Sequence, residues 1–147
     1  METSILDKRA SELLEIFEWI DDEMERYEVL IDFGAHSLKN QIQEADKHEL
    51  NEVKGCQSKV WLTHTFMDGK IAFYGDSNTV ITKGIVAILI FLWSDLQPKQ
   101  ILEASTEIID KIGLRKHLTQ QRNNGLNAMI KQMKLYALAF KTKEVNN

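Results

Sequence analysis

The chain has 147 residues, 44% hydrophobic and 27% charged, with a net charge of −4 at pH 7. That is enough apolar material for one domain, residues 1–147, to bury a core without disulfides or metal. The acidic balance argues against a general nucleic-acid binder, which needs a basic stripe. The single cysteine, Cys56, excludes an internal disulfide framework and is too few for a thiolate metal site, so a reducing, cytoplasmic setting is expected.

The N-terminal stretch METSILDKRASELL has early acidic residues and no unbroken apolar core, so it does not read as a secretory signal. Residues 11–20 carry apolar side chains at 13, 14, 17, 19 and 20, which marks one face of a helix. A break at Asp21-Asp22 precedes a second pattern, Met24, Tyr27, Val29, Leu30 and Phe33, with Gly34 as its expected C-terminal glycine. Residues 36–52 are polar and weakly periodic and read as a loop with a possible helical turn.

The period then changes. Val60, Trp61, Leu62, Thr63 and Thr65 predict a strand, Met67-Asp68-Gly69-Lys70 a tight turn, and residues 71–74 the returning strand. Val53 is expected to add a short third strand. Asp76, Ser77 and Asn78 are each suited to cap the next helix. That helix, residues 79–93, is apolar nearly all round and belongs inside the core, covering the sheet. Its run GIVAILIFLW has ten residues, against about 20 needed to span a bilayer. Pro98 fits the first turn of a helix at 98–104, and a short helix at 106–112 ends at Gly113. Residues 114–124 read as a polar segment with a turn at Asn123-Asn124-Gly125. A last helix carries Leu126, Met129, Ile130, Met133, Tyr136, Ala137 and Phe140, before a polar, frayed tail from about 141. The fold class is α+β: a small antiparallel sheet of about three strands flanked by helices.

Cys56 has two readings. Free cysteine is often a small buried hydrophobe. Its setting, KGCQSKVW, instead suggests a presented thiol at a loop tip before a strand, with Gly55 giving the backbone freedom and Lys54 and Lys59 able to favour thiolate. The histidines at 36, 48, 64 and 117 have no metal-ligand spacing. His64 would meet Cys56 only if the cysteine loop folded back. Gly75-Asp76-Ser77-Asn78 could face an anion, although Asp76 opposes that and capping is the plainer role. Arg122 is either solvated or a partner contact.

Three blocks, VKGCQSKVWL (53–62), GDSNTVITKGIVAILI (75–90) and HLTQQRNNGLNAMI (117–130), resemble the SufE family of sulfur-acceptor proteins in order and spacing. The resemblance covers almost the whole chain and implies a fold similar to that of IscU-type scaffolds. It implies an accessory protein rather than an enzyme in its own right. Such a protein takes a persulfide sulfur from a SufS- or CsdA-type cysteine desulfurase, stimulates that enzyme, and passes the sulfur to a SufBCD-type scaffold complex for iron–sulfur cluster assembly. Cys56 is then the persulfide-forming acceptor, and Gln57, Asp76, Asn78 and Arg122 are candidate partner contacts. No cofactor is implied for this chain; the pyridoxal phosphate belongs to the desulfurase. No nucleic acid or membrane partner is implied, and the protein is expected as a monomer or homodimer. Two positions depart from the family pattern: Asn78, where a second acidic residue is common, and Gln120-Gln121, where a proline is common. The alternatives are a desulfurase regulator that carries no sulfur, an iron–sulfur scaffold and a thiol peroxidase. Cluster ligation generally needs several thiolates or histidines, and the peroxidase's surrounding motif is missing.

Overall fold

The computed structural model describes residues 4–38 and 40–146. The chain opens with an antiparallel helix pair, α1 (Ile5–Phe17) and α2 (Glu23–His36), capped by Ser4 and Asp22 side chains that accept from backbone N–H groups two or three residues on. Two 3₁₀ turns, Glu44–Asp46 and Glu49–Asn51, lie within the polar stretch after α2. Then come β1 (Val60–Met67), β2 (Lys70–Ser77) and α3 (Val80–Trp93). Three short helices follow, α4 (Pro98–Glu103), α5 (Glu107–Lys111) and α6 (Leu114–His117), and the long α7 (Gln120–Asn146) closes the chain.

The α+β class stands, with a smaller sheet than expected. β1 and β2 pair antiparallel from Val60–Ser77 to Met67–Lys70, and the sheet has these two strands. The third strand expected at Val53 reduces to one bridge, Glu52 with Trp61, plus the Val53 N–H donated to Val60 O. Gly55, at φ 89°, turns the chain away before a longer ladder forms.

α3 organises the interior. From Gly84 to Ile90 every residue is buried, as are Leu92 and Trp93. The helix meets α1, α2, α7 and β2. Its N-cap is Thr79, not the 76–78 segment, because β2 continues through Ser77. Gly34 does not end α2, which runs on to His36. It faces α3 instead: a Cβ on Gly34 would stand 2.7 Å from the Gly84 backbone nitrogen, and one on Gly84 would stand 2.9 Å from the Leu30 side chain. The paired glycines let the α2 and α3 backbones approach closely.

Long cations satisfy carbonyls left over at helix ends. Arg9 donates to the carbonyls of Leu92, in the last turn of α3, and Ser94, just after it, and Arg26 to those of Ile20 and Ile112. Lys134 donates to Ile101, Leu102 and Ala104 at the end of α4.

The last helix starts earlier and ends later than its apolar pattern suggests. Thr119 starts it: its Oγ1 accepts from the Arg122 N–H and its carbonyl from the Asn123 N–H. Asn123, expected in a turn, donates its side-chain amide to the carbonyls of Arg115 and Leu118. The tail expected to fray from 141 is helical through Asn146. The apolar run GIVAILIFLW lies within α3, and no helix among the described residues is long and apolar enough to cross a membrane.

Gly84→Ala forces the α2–α3 contact apart. It is expected to cost roughly 2–3 kcal/mol, within the overpacking range, read as a lower urea midpoint with little change in slope. A wild-type midpoint would show that the two helices have slack at this contact.

Candidate functional site at Cys56

Cys56 sits at the tip of a short loop, residues 54–59, closed at its base by the Val53–Val60 hydrogen bond. The exit of the loop is pinned to the β2–α3 junction. The Lys59 N–H donates to Asn78 Oδ1, the Asn78 N–H and Ser77 hydroxyl donate to Lys59 O, and the hydroxyls of Thr79 and Thr82 approach Ser58 Oγ at 3.0 and 3.4 Å. The tip leans on one face of α7. A Cβ on Gly55 would lie 3.6 Å from Ala128 Cβ, and the Cys56 thiol, 3.7 Å from Gly125 O, donates to that carbonyl. Gly125 and Ala128, three residues apart, lie on the same helix face.

The thiol is half-buried and faces a cavity of about 140 Å³ lined by Gln57, Ser58, Thr82, Thr119, Gln121, Arg122, Gly125 and Met129. Burial pushes the Cys56 thiol above its ordinary value, and the negative charge of Glu52 adds to the rise. The expectation that Lys54 and Lys59 favour thiolate therefore reverses. Lys54 points to Glu49 at 3.8 Å, and the ionised neighbour that acts on the thiol is Glu52. The half-buried setting thus disfavours the thiolate.

The five candidate residues divide. Cys56, Gln57 and Arg122 share the pocket. Asn78 lies outside its lining, exposed and bonded to Lys59. Asp76 is buried, also outside the lining, with Lys47 at 2.8 Å, Lys83 at 3.5 Å and the Ser77 N–H on its carboxylate. Lys47 also stands over the Trp61 ring. Asp76 thereby ties the polar stretch that leads into the cysteine loop to β2 and α3. His64 packs against Tyr136 and Phe140, outside the pocket, so it forms no pair with Cys56 there. Thr82, Thr119, Gln121, Gly125 and Met129 line the pocket without having been legible as site residues. Gly125 left one signal, a glycine beside a helix-periodic segment, and Gln121 another, as part of the Gln120-Gln121 departure from the family pattern.

The model of the SufE family, the Fe–S metabolism associated domain, matches residues 11–137. The chain belongs to the SufE family. A SufE-like protein of Synechocystis is 35% identical over 140 residues, covering 95% of this chain and 87% of the relative. A SufE-like protein of Rhizobium meliloti is 35% identical over 128 residues, covering 84% and 90%. The solution structure of a hypothetical protein from Thermus thermophilus superposes with a TM-score of 0.72 at 20% identity, covering 91% of this chain and 96% of its own, which establishes the shared fold. Membership in the SufE family attaches this chain to iron–sulfur metabolism.

Two measurements test this geometry. Alkylation of Cys56 by iodoacetamide should titrate above the ordinary thiol value, and Glu52→Gln should move the midpoint down; an unmoved midpoint would remove Glu52 from the site. Asp76 is the second case. Burial pushes its carboxyl up, but the Lys47 and Ser77 hydrogen bonds and the Lys83 and Lys47 charges outweigh that and hold it below the usual value. A lowered carboxyl contributes stability above its unfolded value, about 3.9, that is lost as pH falls through the folded one. Asp76→Asn should therefore cost about 1–3 kcal/mol near neutral pH, and the gap to wild type should close below about pH 4. A gap independent of pH would contradict the pairing.

Proposed function

We propose that this protein accepts the outer sulfur of a cysteine desulfurase persulfide onto Cys56 and hands it to iron–sulfur cluster assembly. The observation that carries the reading is the placement of the only cysteine, at the tip of a pinned loop and half-buried against α7 beside its own pocket. Family membership supports the metabolic setting.

The transfer follows the logic of thiol–disulfide exchange. Cys56 gives up its proton, and its thiolate attacks the outer sulfur of the donor's persulfide. The Cys56–sulfur bond forms as the donor's sulfur–sulfur bond breaks. The donor cysteine leaves as a thiolate that takes up a proton, so there is no net oxidation or reduction. No second cysteine is present to attack the product, release sulfide and close a disulfide. The raised thiol value opposes the first step at rest. Docking therefore has to lift Cys56 from Gly125 O and move it away from Glu52. The freedom at Gly55 permits that motion, because the loop is hydrogen-bonded at its base and exit while Cys56 at its tip bonds to Gly125 O on α7. Arg122 and Gln57, on the pocket rim, are suited to meet the donor. The partner is a cysteine desulfurase and the recipient a cluster scaffold.

Turnover of a purified cysteine desulfurase, measured with saturating amounts of this protein, separates a carrier from a regulator. Wild type should raise turnover and Cys56→Ser should abolish the increase. Full stimulation by Cys56→Ser would identify a binding regulator that carries no sulfur.

A further inference from the structure

Gly125 lies inside α7, with five helical residues before it. Glycine in a helix interior costs about 0.5–1 kcal/mol relative to alanine, so its place calls for a contact that a methyl group would spoil. The three atoms nearest to where its Cβ would stand all belong to Cys56: Sγ at 3.4 Å, Cβ at 3.8 Å and Cα at 3.9 Å. These are ordinary van der Waals separations. A resting thiol therefore leaves room for alanine at 125, whereas a larger group on Sγ does not.

A persulfide is larger by one sulfur, carried about 2 Å beyond Sγ. Loading replaces the S–H bond of the inner sulfur by an S–S bond, so that sulfur no longer donates to Gly125 O. The added atom must then lie in the pocket beside α7, or the side chain must turn out to solvent. We propose that Gly125 is the positioning residue for the Cys56 persulfide: its bare backbone leaves the space in which the outer sulfur is held, in the pocket lined by Thr82, Thr119, Gln121 and Met129. The occupant rests on the sulfur-carrier reading, but the test does not.

Methyl methanethiosulfonate supplies a stand-in without a desulfurase. The Cys56 thiolate attacks its sulfenyl sulfur, the Cys56–S–S–CH₃ disulfide forms, methanesulfinate leaves with the bonding pair, and the thiol proton goes to buffer. Reduction of this disulfide by a water-soluble phosphine is then timed by intact mass. In wild type it should be much slower than in the urea-unfolded chain. In Gly125→Ala it should be faster by about tenfold, the equivalent of about 1.4 kcal/mol. Iodoacetamide should alkylate the unmodified thiol at the same rate in both proteins, a readout that a general loosening of the loop would move. Equal disulfide reduction in wild type and Gly125→Ala overturns the assignment. So does a wild-type disulfide reduced as fast as in the unfolded chain, which needs no variant to fold. Protection of the disulfide together with failure to take sulfur from any desulfurase would reject the carrier reading and keep the pocket.

Discussion

Everything in this fold leans on the burial of α3. A helix with almost no polar face gains its stability only if other elements cover all of its sides, and here α1, α2, α7 and β2 do so. The Gly34–Gly84 approach sets the separation of α2 from α3. The start of α3 fixes the end of β2, and the residues at that junction, Ser77, Asn78, Thr79 and Thr82, hold the exit of the cysteine loop. α7 also packs on α3 and supplies the surface on which the loop tip rests. The position of the thiol is thus a consequence of how one apolar helix is enclosed.

The site built on this frame sets protection against reactivity. Burial and Glu52 raise the Cys56 thiol above its ordinary value, and the carbonyl of Gly125 accepts its hydrogen. A thiolate is the nucleophile in sulfur exchange, so a resting state that disfavours it is a poor nucleophile. The two demands are met by different states of one loop. Its ends are hydrogen-bonded, whereas its tip is held mainly by contact with α7. Asp76, paired with Lys47 and Lys83, steadies the segment before the loop and so bears on the site without touching it.

Much of this was legible in the sequence where a periodic pattern coincided with burial. The α1–α2 pair, the β1–β2 hairpin and the enclosed α3 follow from apolar spacing and from the Asp-Gly turn. The boundaries that failed did so for local reasons. Asn123-Asn124-Gly125 has the composition of a turn, but Thr119 caps a helix that runs through it, and Asn123 spends its amide on carbonyls of the preceding segment. Gly34 looks like a stop because helix ends favour glycine, yet it serves a helix contact. The third strand was curtailed by the backbone turn at Gly55. At the site, the resemblance pointed to Cys56, Gln57, Asp76, Asn78 and Arg122; the fold gathers Cys56, Gln57 and Arg122 at one pocket and leaves Asp76 and Asn78 outside its lining. The charge around the thiol was not legible, because Lys54 and Lys59 are neighbours in the chain while Glu52 is the one whose charge reaches the sulfur. The pocket wall from α7 was equally hidden, since it is brought to Cys56 by a contact 69 residues apart in sequence.

The central claim is that Cys56 receives a sulfur atom, and intact mass tests it most directly. The protein is incubated with a cysteine desulfurase and free cysteine, then weighed before and after reductant. A gain of at least one sulfur atom, removed by reductant and absent in Cys56→Ser, is the predicted result. An unchanged mass with each desulfurase of the source organism, or a gain that persists in Cys56→Ser, would contradict it.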